Sequence, residues 1–423
     1  MAYGSQAKSL KEVQRRSIEL EQNIRDLYSR AKIPIQGGKT SHVKYGTFHE
    51  KAELQVDGVI PNEEEPETIV FVTYTDPDKP GHSNENKLHL KLGELSLFKT
   101  CNPSIRCILV AGEAENSWLK YVLNVFKLFF DEVVFTWEGR FRDRLFEASK
   151  CNLKNSGFWR DEKKRRDAIQ LETHEDMPPS SDFRSRFYKE IIPRYLGTKD
   201  PTKINHLTLR HMAISAQKEY DRTGGEKGLF WKHLCDSNYD AIWQERSYFN
   251  PMEYTVDTLL EINGFQYEWS VRVPTLLQDL GVKGSRSTED FGLFSETKRI
   301  PVYIQCKASG GGAEQHGKAV MNRAKEQIAR SLLYRCRKSG EEIQSKVQSF
   351  GWIAVLDGNW RIPRRYPLKY FHMLQFAGYD KILKISDLAN SDDLAPKKEN
   401  PLNSYLQQMG CKKASQATMK NYF

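Results

Sequence analysis

The sequence predicts an α/β fold, and three observations support this. Apolar runs of strand length alternate with helix-period segments between Thr68 and Trp137. The same alternation returns between Met252 and Leu356. Between the two lies a long charged stretch, Gly139 to about Phe249, broken by Pro178-Pro179, which reads as mostly helical. Strand–helix–strand spacing of this kind implies a small, largely parallel sheet.

Taken in order, Ser9 to Lys32 reads as an amphipathic helix, because Leu10, Val13, Ile18, Leu20, Ile24 and Leu27 recur at near-helical spacing. It would pack on the body or on a second subunit. A polar connector follows and ends in Asn62-Glu63-Glu64-Glu65-Pro66. Strands are predicted at Thr68–Thr75, Arg106–Ala111 and Glu132–Trp137, with helices around Lys87–Phe98 and at Ser117–Phe129. In the C-terminal half a helix from Met252 to Ile262 ends at Asn263-Gly264, a good stop signal. Strands follow at Tyr267–Val273, around Glu289–Phe294 and at Val302–Lys307. Ser309-Gly310-Gly311-Gly312 turns the chain into a helix from Lys318 to Arg337, and Phe350–Leu356 is a further strand. From about Ser391 the residues are polar and tail-like.

Composition narrows the class. Of the 423 residues, 39% are hydrophobic and 28% charged, which is ordinary for a globular chain with two or three cores. No apolar run approaches the length of a membrane span, so no membrane partner is expected. The polar start, Met1 to Lys11, has no apolar signal core, and the seven cysteines form no CxxC pair. A reduced, cytoplasmic protein without structural zinc is the expectation. The net charge of +9 favours a polyanionic partner. Positive charge gathers between Trp137 and Arg166, where Arg140, Arg142, Arg144, Lys163, Lys164 and Arg165 are the candidate DNA contacts. Phe141, Phe146, Phe158 and Trp159 lie among them, as a nucleic-acid surface would need. Asp143, Glu147, Asp161 and Glu162 offer the other reading, a solvated helix face with local ion pairs.

The densest chemistry is at Glu289-Asp290-Phe291-Gly292 and Pro301-Val302-Tyr303-Ile304-Gln305-Cys306-Lys307. Alternation along a strand puts Gln305 and Lys307 on one face and Cys306 on the other. A carboxylate, an amide oxygen and an ammonium converging on one spot suit a hard divalent cation and the water it activates. That is the equipment of a metal-dependent phosphodiesterase. Cys306 itself reads as packing, since no His accompanies it.

In order and content these residues resemble the PD-(D/E)XK nuclease superfamily over roughly residues 250–357. The resemblance implies a restriction-endonuclease-like core and a Mg²⁺ cofactor. Asp290 matches the metal-bridging aspartate, with Glu289 in place of the usual proline. Gln305 replaces the usual acid, Lys307 matches the lysine, and Glu253 stands in the first helix, where the family often places an accessory acid. The implied metal ligands are Asp290, Gln305, the Cys306 carbonyl and Glu253, with Lys307 on the attacking water. Gln327 and Tyr334 share a helix face with Arg323 and Arg330; of these, Gln327 is an outside candidate for the site. The expected activity is that of a type II restriction endonuclease cutting double-stranded DNA, working as a homodimer.

Two other readings remain open. Gln416, Met419, Tyr422 and Phe423 resemble the clamp-binding box of repair proteins, which implies a branched-DNA or repair nuclease recruited by a sliding clamp. A core that lost its acid at Gln305 and only binds DNA is the third. Gly37-Gly38-Lys39-Thr40 lacks the first glycine and the strand of a phosphate loop, and Asp290-Phe291-Gly292 lacks the rest of a kinase. The expected organisation is an N-terminal α/β segment over 1–137, a basic helical region over 138–249, a nuclease core over 250–390 and a polar tail over 391–423.

Overall fold

A computed structural model describes residues 3–38, 42–46, 51–74, 82–112, 117–169, 251–282, 288–308, 317–346, 350–357, 370–390 and 396–413. The chain is α/β, as predicted. Helix α1 (Tyr3–Arg30) precedes an antiparallel pair, β1 (His42–Gly46) and β2 (Lys51–Gln55), where only a polar connector was expected. Strand β3 (Gly58–Ile60) then starts the first larger sheet, with β4 (Thr68–Tyr74), β5 (Arg106–Gly112) and β6 (Glu132–Phe135) in the order β3-β4-β5-β6. The three later strands are parallel, linked by α2 (His82–Cys101) and α3 (Ser117–Phe126). Every residue of β4 is buried, which is why it reads as an unbroken apolar run rather than an alternating one. Two short helices, α4 (Phe141–Ala148) and α5 (Ser156–Asp167), complete this half.

The second sheet has the order β13-β12-β9-β8-β7. After α6 (Pro251–Ile262), an antiparallel meander of β7 (Tyr267–Arg272), β8 (Thr288–Ser295) and β9 (Ile300–Ala308) forms one side, with α7 (Leu276–Asp279) between its first two strands. Helix α8 (Gly317–Arg335) and the hairpin β10 (Cys336–Ser339) and β11 (Glu342–Ser345) lead to β12 (Gly351–Asp357), parallel to β9. Helix α9 (Tyr370–Ala377) leads to β13 (Lys381–Lys384), parallel to β12, and α10 (Ile385–Leu388) and α11 (Pro401–Gln408) follow.

Period-two alternation sorts this sheet into two faces. Phe291, Leu293, Ile304, Ile353 and Val355 pack with Met252, Val256 and Leu260 of α6. Tyr303, Trp352, Ala354 and Leu356 pack on the opposite face with Ala324, Ile328 and Leu332 of α8. That second core does not stop at the helix. It runs on through Leu88, Leu92 and Phe98 of α2 to Ile69, Phe71 and Leu109 of the first sheet. The two α/β segments of the sequence therefore share one apolar core. The far face of the first sheet is closed by Ile24 and Tyr28 of α1 and Leu145 of α4. This half of α1 thus packs on its own body, where it had been a candidate subunit interface.

The expected polar tail is corrected over residues 396–413. Asn400 caps α11, its side chain accepting from Asn403 N–H at 2.8 Å, with Pro401 at the first helical position. Leu402, Leu406 and Met409 are buried against the second sheet. Gly410 ends the helix at φ +66, and the chain continues beside β8, Lys412 N–H donating to Phe294 O at 3.0 Å. Among the described residues no helix is long and apolar enough to cross a membrane.

The join between α2 and α8 is tight and charged. A Cβ on Gly93 would lie 2.3 Å from the Lys325 carbonyl oxygen. Next to it Lys325 Nζ donates to Glu94 Oε1 at 2.8 Å, and Lys91 Nζ reaches Asp57 Oδ2 at 2.7 Å and Glu94 Oε2 at 3.4 Å. Gly93→Ala should destabilise the fold by about 1–3 kcal/mol, despite alanine's better helix propensity, because backbone must move. A denaturant titration following both halves at once checks it, with a single shifted transition expected. Burial works to raise the Glu94 pKa, but Lys325 and Lys91 outweigh it and bring it down to about 2. The folded pKa lies below the unfolded one of about 4.3, so this carboxylate stabilises the fold above about pH 4.3 and loses that contribution as the pH falls towards the folded value. Glu94→Gln should therefore differ from the parent by on the order of 2–3 kcal/mol at pH 6, with the gap closing on acidification. Urea midpoints from pH 6 to pH 3 measure this.

Candidate active site

The antiparallel ladder between β8 and β9 runs from Ser295–Ile300 to Phe291–Ile304 and ends there. Past its end a side chain replaces the backbone acceptor: Asp290 Oδ2 accepts from Cys306 N–H at 2.6 Å. That bond ties the half-buried carboxylate to the strand carrying Gln305 and Lys307. Cys306 packs into the α6 face with Ile304 and Val355, so Gln305 and Lys307 lie on the α8 face, as alternation predicts.

The neighbours of Gln305 decide how its amide lies. Tyr379 Oη and Gln327 Oε1 stand on one side, Arg330 Nη1 and Lys307 Nζ on the other. With its nitrogen towards the first pair, the amide donates to Tyr379 Oη at 2.6 Å and to Gln327 Oε1 at 2.7 Å. Its oxygen then accepts from Arg330 Nη1 at 2.7 Å and from Lys307 Nζ at 3.2 Å. The reverse would set oxygen against oxygen and NH₂ against two cations. Tyr379 Oη also donates to Gln327 Oε1 at 2.9 Å, closing a three-membered ring of hydrogen bonds.

Glu289, next to Asp290, is fully buried at 0% exposure. It accepts from Tyr334 Oη at 2.7 Å and Trp352 Nε1 at 3.2 Å, and Arg330 Nη1 lies 3.6 Å from its Oε1. Burial pushes the Glu289 pKa up, against the pull of Arg330 and the Tyr334 hydrogen bond. Burial, and then the Arg330 charge, push Lys307 down, while Asp290, Glu289 and Glu326 oppose them. For Arg330 itself, burial is outweighed by Tyr334, Glu289, Tyr379 and Asp290, and the pKa is raised. It stays a full cation.

Tyr379 and Trp352 carried no signal in the sequence. They are placed by a reciprocal pair of hydrogen bonds between the Trp352 backbone and Asp380. Trp352 N–H donates to Asp380 Oδ2 at 2.7 Å and Asp380 N–H donates to Trp352 O at 2.8 Å, which stacks Tyr379 on the indole at 3.8 Å. Gln327, Arg330 and Tyr334 had only their shared helix face to recommend them, and that face is the one turned to the site. Glu253 is buried in the first turn of α6, the helix covering the other face of the sheet.

As a donor set for Mg²⁺ the cluster fits through one group. Asp290 is a half-buried carboxylate, and Mg²⁺ is usually held by only one or two carboxylates with waters and phosphate oxygens. The Gln305 oxygen is already turned to two cations. Among the described residues no three His, Cys, Asp or Glu side chains converge as a metal cage.

No protein-family model, no curated protein and no solved structure matches this chain.

The basic stretch is more structural than its composition suggested. Arg165 donates to Glu162 Oε1 at 2.8 and 2.6 Å and to the Phe376 carbonyl at 2.6 Å. Arg335 of α8 grips the same buried Glu162, at 3.0 and 3.1 Å. Phe158 and Trp159 are buried in the shared core and offer no stacking platform. Arg144 pairs with Glu138 at 2.6 Å, Arg140 with Asp143 at 3.3 Å, Lys163 with Asp167 at 3.0 Å and Lys164 with Asp161 at 3.3 Å. Arg142 lies over the Phe146 ring at 5.8 Å. Both helices are amphipathic: α4 turns Leu145 and Ala148 inward, and α5 turns Phe158, Trp159, Glu162 and Arg166 inward. The remaining middle region, residues 170–250, and Gln416, Met419, Tyr422 and Phe423 lie outside the described residues. Arg165→Ala should lower folding stability by about 1–3 kcal/mol, since it removes one of the cations on a buried carboxylate and leaves the Phe376 carbonyl without this donor. Lys164→Ala should stay within about 0.5 kcal/mol of the parent. Chemical denaturation of the two variants side by side tests the division.

Proposed function

We propose that the chain is a Mg²⁺-dependent endonuclease of PD-(D/E)XK type that hydrolyses double-stranded DNA at a specific sequence, as a type II restriction enzyme does. The observation carrying this reading is the meeting of a half-buried Asp290 and a buried-side Lys307 on adjacent strand ends, with Arg330 on the helix behind them. A meander, a crossover helix and a parallel strand arranged round that pair agree with it.

Asp290 would hold the ion. Mg²⁺, when bound, lowers the pKa of its water and stabilises charge on a phosphate. Lys307 has three hydrogens and spends one on Gln305, so it can donate to a non-bridging phosphate oxygen or to the attacking water. Arg330 contributes fixed positive charge in a partly dry site, where such charge acts more strongly than in water. Gln305 is fully hydrogen-bonded by its surroundings, which favours a working amide over a decayed acid. Cutting both strands of a duplex calls for two such sites, so the proposed enzyme is a homodimer, and the proposal includes a cytoplasmic location.

Incubation of the full chain with long unmethylated duplex DNA and Mg²⁺ should give discrete fragments. Asp290→Ala and Lys307→Ala should each slow cleavage by at least about a hundredfold with the melting curve retained. Absence of cutting by the parent on duplex of any sequence, with or without the ion, would sink the reading.

A further inference from the structure

The Gln305 amide is held from both ends, and only one end faces the reacting region. Its nitrogen is engaged by Tyr379 and Gln327 inside the protein, both fully or nearly fully buried. Its oxygen sits between a primary ammonium and a guanidinium. Two cations within hydrogen-bond distance of one neutral oxygen repel each other, and that cost is offset only while an oxygen stays between them. Both cations remain reachable. Arg330 keeps 26% of its side chain exposed, and Lys307 is half-buried. Among the described residues the contacts of Arg330 are made by Nη1 alone, leaving the rest of its planar donor fork for a ligand.

We propose that Lys307 and Arg330 are the two arms of one phosphate-binding clamp, set to its spacing by the Gln305 oxygen, and that Tyr379 is the positioning residue that holds that amide. Gln305 then serves the cations and not the metal. Tyr379 touches neither phosphate nor ion. Its ring is fixed by the stack on Trp352 and by the Asp380–Trp352 exchange, so its hydroxyl arrives at one place. Behind Arg330 stands Glu289, held by the Tyr334 hydroxyl at 2.7 Å, with its Oε1 3.6 Å from the guanidinium. The proposal rests on the nuclease reading for its substrate, a nucleic-acid phosphate, but not for the clamp itself.

The test separates anion from cation. Inorganic phosphate is titrated calorimetrically into the metal-free full chain, and Mn²⁺ is titrated separately by electron paramagnetic resonance. Tyr379→Phe keeps the stacked ring and loses the hydroxyl, so melting should move by no more than several degrees. Phosphate affinity should fall at least about tenfold in Tyr379→Phe and in Gln305→Ala, while the Mn²⁺ affinity of both stays within about twofold. Gln327→Met removes the amide's other acceptor and should reproduce the pattern, which guards against misfolding of the first variant. A parent that binds no phosphate overturns the clamp. Equal phosphate affinity in parent and Tyr379→Phe does the same. Loss of Mn²⁺ in step with phosphate would make Gln305 a metal ligand and overturn the assignment. A short duplex added as competitor keeps the two readings apart. Phosphate binding that a duplex neither displaces nor follows with cleavage would leave the clamp standing and remove the nuclease.

Discussion

The helical side of the candidate site depends on where α8 lies, and that is set by its contact with α2. The helices approach so closely at Gly93 that the Lys325 carbonyl leaves no room for a side chain. Apolar packing alone would let two helices slide or rotate against each other, because ridges and grooves repeat along the axis. The ionic cluster of Asp57, Lys91, Glu94 and Lys325 removes that freedom, since partly buried charges resist losing a partner. Two residues beyond Lys325, Gln327 meets the Gln305 amide, and three further on stands Arg330. The first sheet thus acts on the site without contributing an atom to the Gln305 hydrogen-bond ring.

A second brace comes from the segment whose charges suggested a DNA surface. Glu162 of α5 gathers Arg165 and Arg335, and Arg166 donates to Ser96 of α2 at 2.5 and 3.2 Å. Helix α5 is therefore bonded to α2, to α8 and, through the Phe376 carbonyl, to α9. A row of arginines on a helix has two uses, and composition cannot separate them. In α5 both occur on one helix: Phe158, Trp159, Glu162 and Arg166 face the core, while Lys164 on the other side stays exposed.

The frame of the fold was legible because it rests on local signals. Buried strands such as β4, and β5 after Arg106, announce themselves as apolar runs, and Asn263-Gly264 stops α6 where expected. Asp290, Gln305 and Lys307 were legible because strand alternation and neighbouring strands suffice to bring them together. Helix α11 was missed although Asn400-Pro401 and the spacing of Leu402, Leu406 and Met409 were visible, because polar neighbours diluted the pattern. Tyr379 was not legible at all. Its place follows from the pairing of β12 with β13 and the carboxylate of Asp380 folding back on Trp352, and such long-range geometry leaves no mark on a short window.

The amide at 305 makes sense as electrostatics. Glu289 and Asp290 already stand against Lys307 and Arg330 in a site that water only partly reaches. A third carboxylate there would meet Gln327 Oε1 with oxygen against oxygen and would push the already raised Glu289 pKa further up. It would also satisfy both cations permanently, with a salt bridge that an incoming phosphate must break. A neutral amide does neither. Its oxygen is strong enough to keep ammonium and guanidinium together, yet too weak to compete with an anionic phosphodiester for their remaining hydrogens. Its nitrogen anchors it to Tyr379 and Gln327, which a carboxylate could not use in the same way. A site built like this is poised for an anion to arrive, and the ring of hydrogen bonds behind Gln305 is what keeps it so.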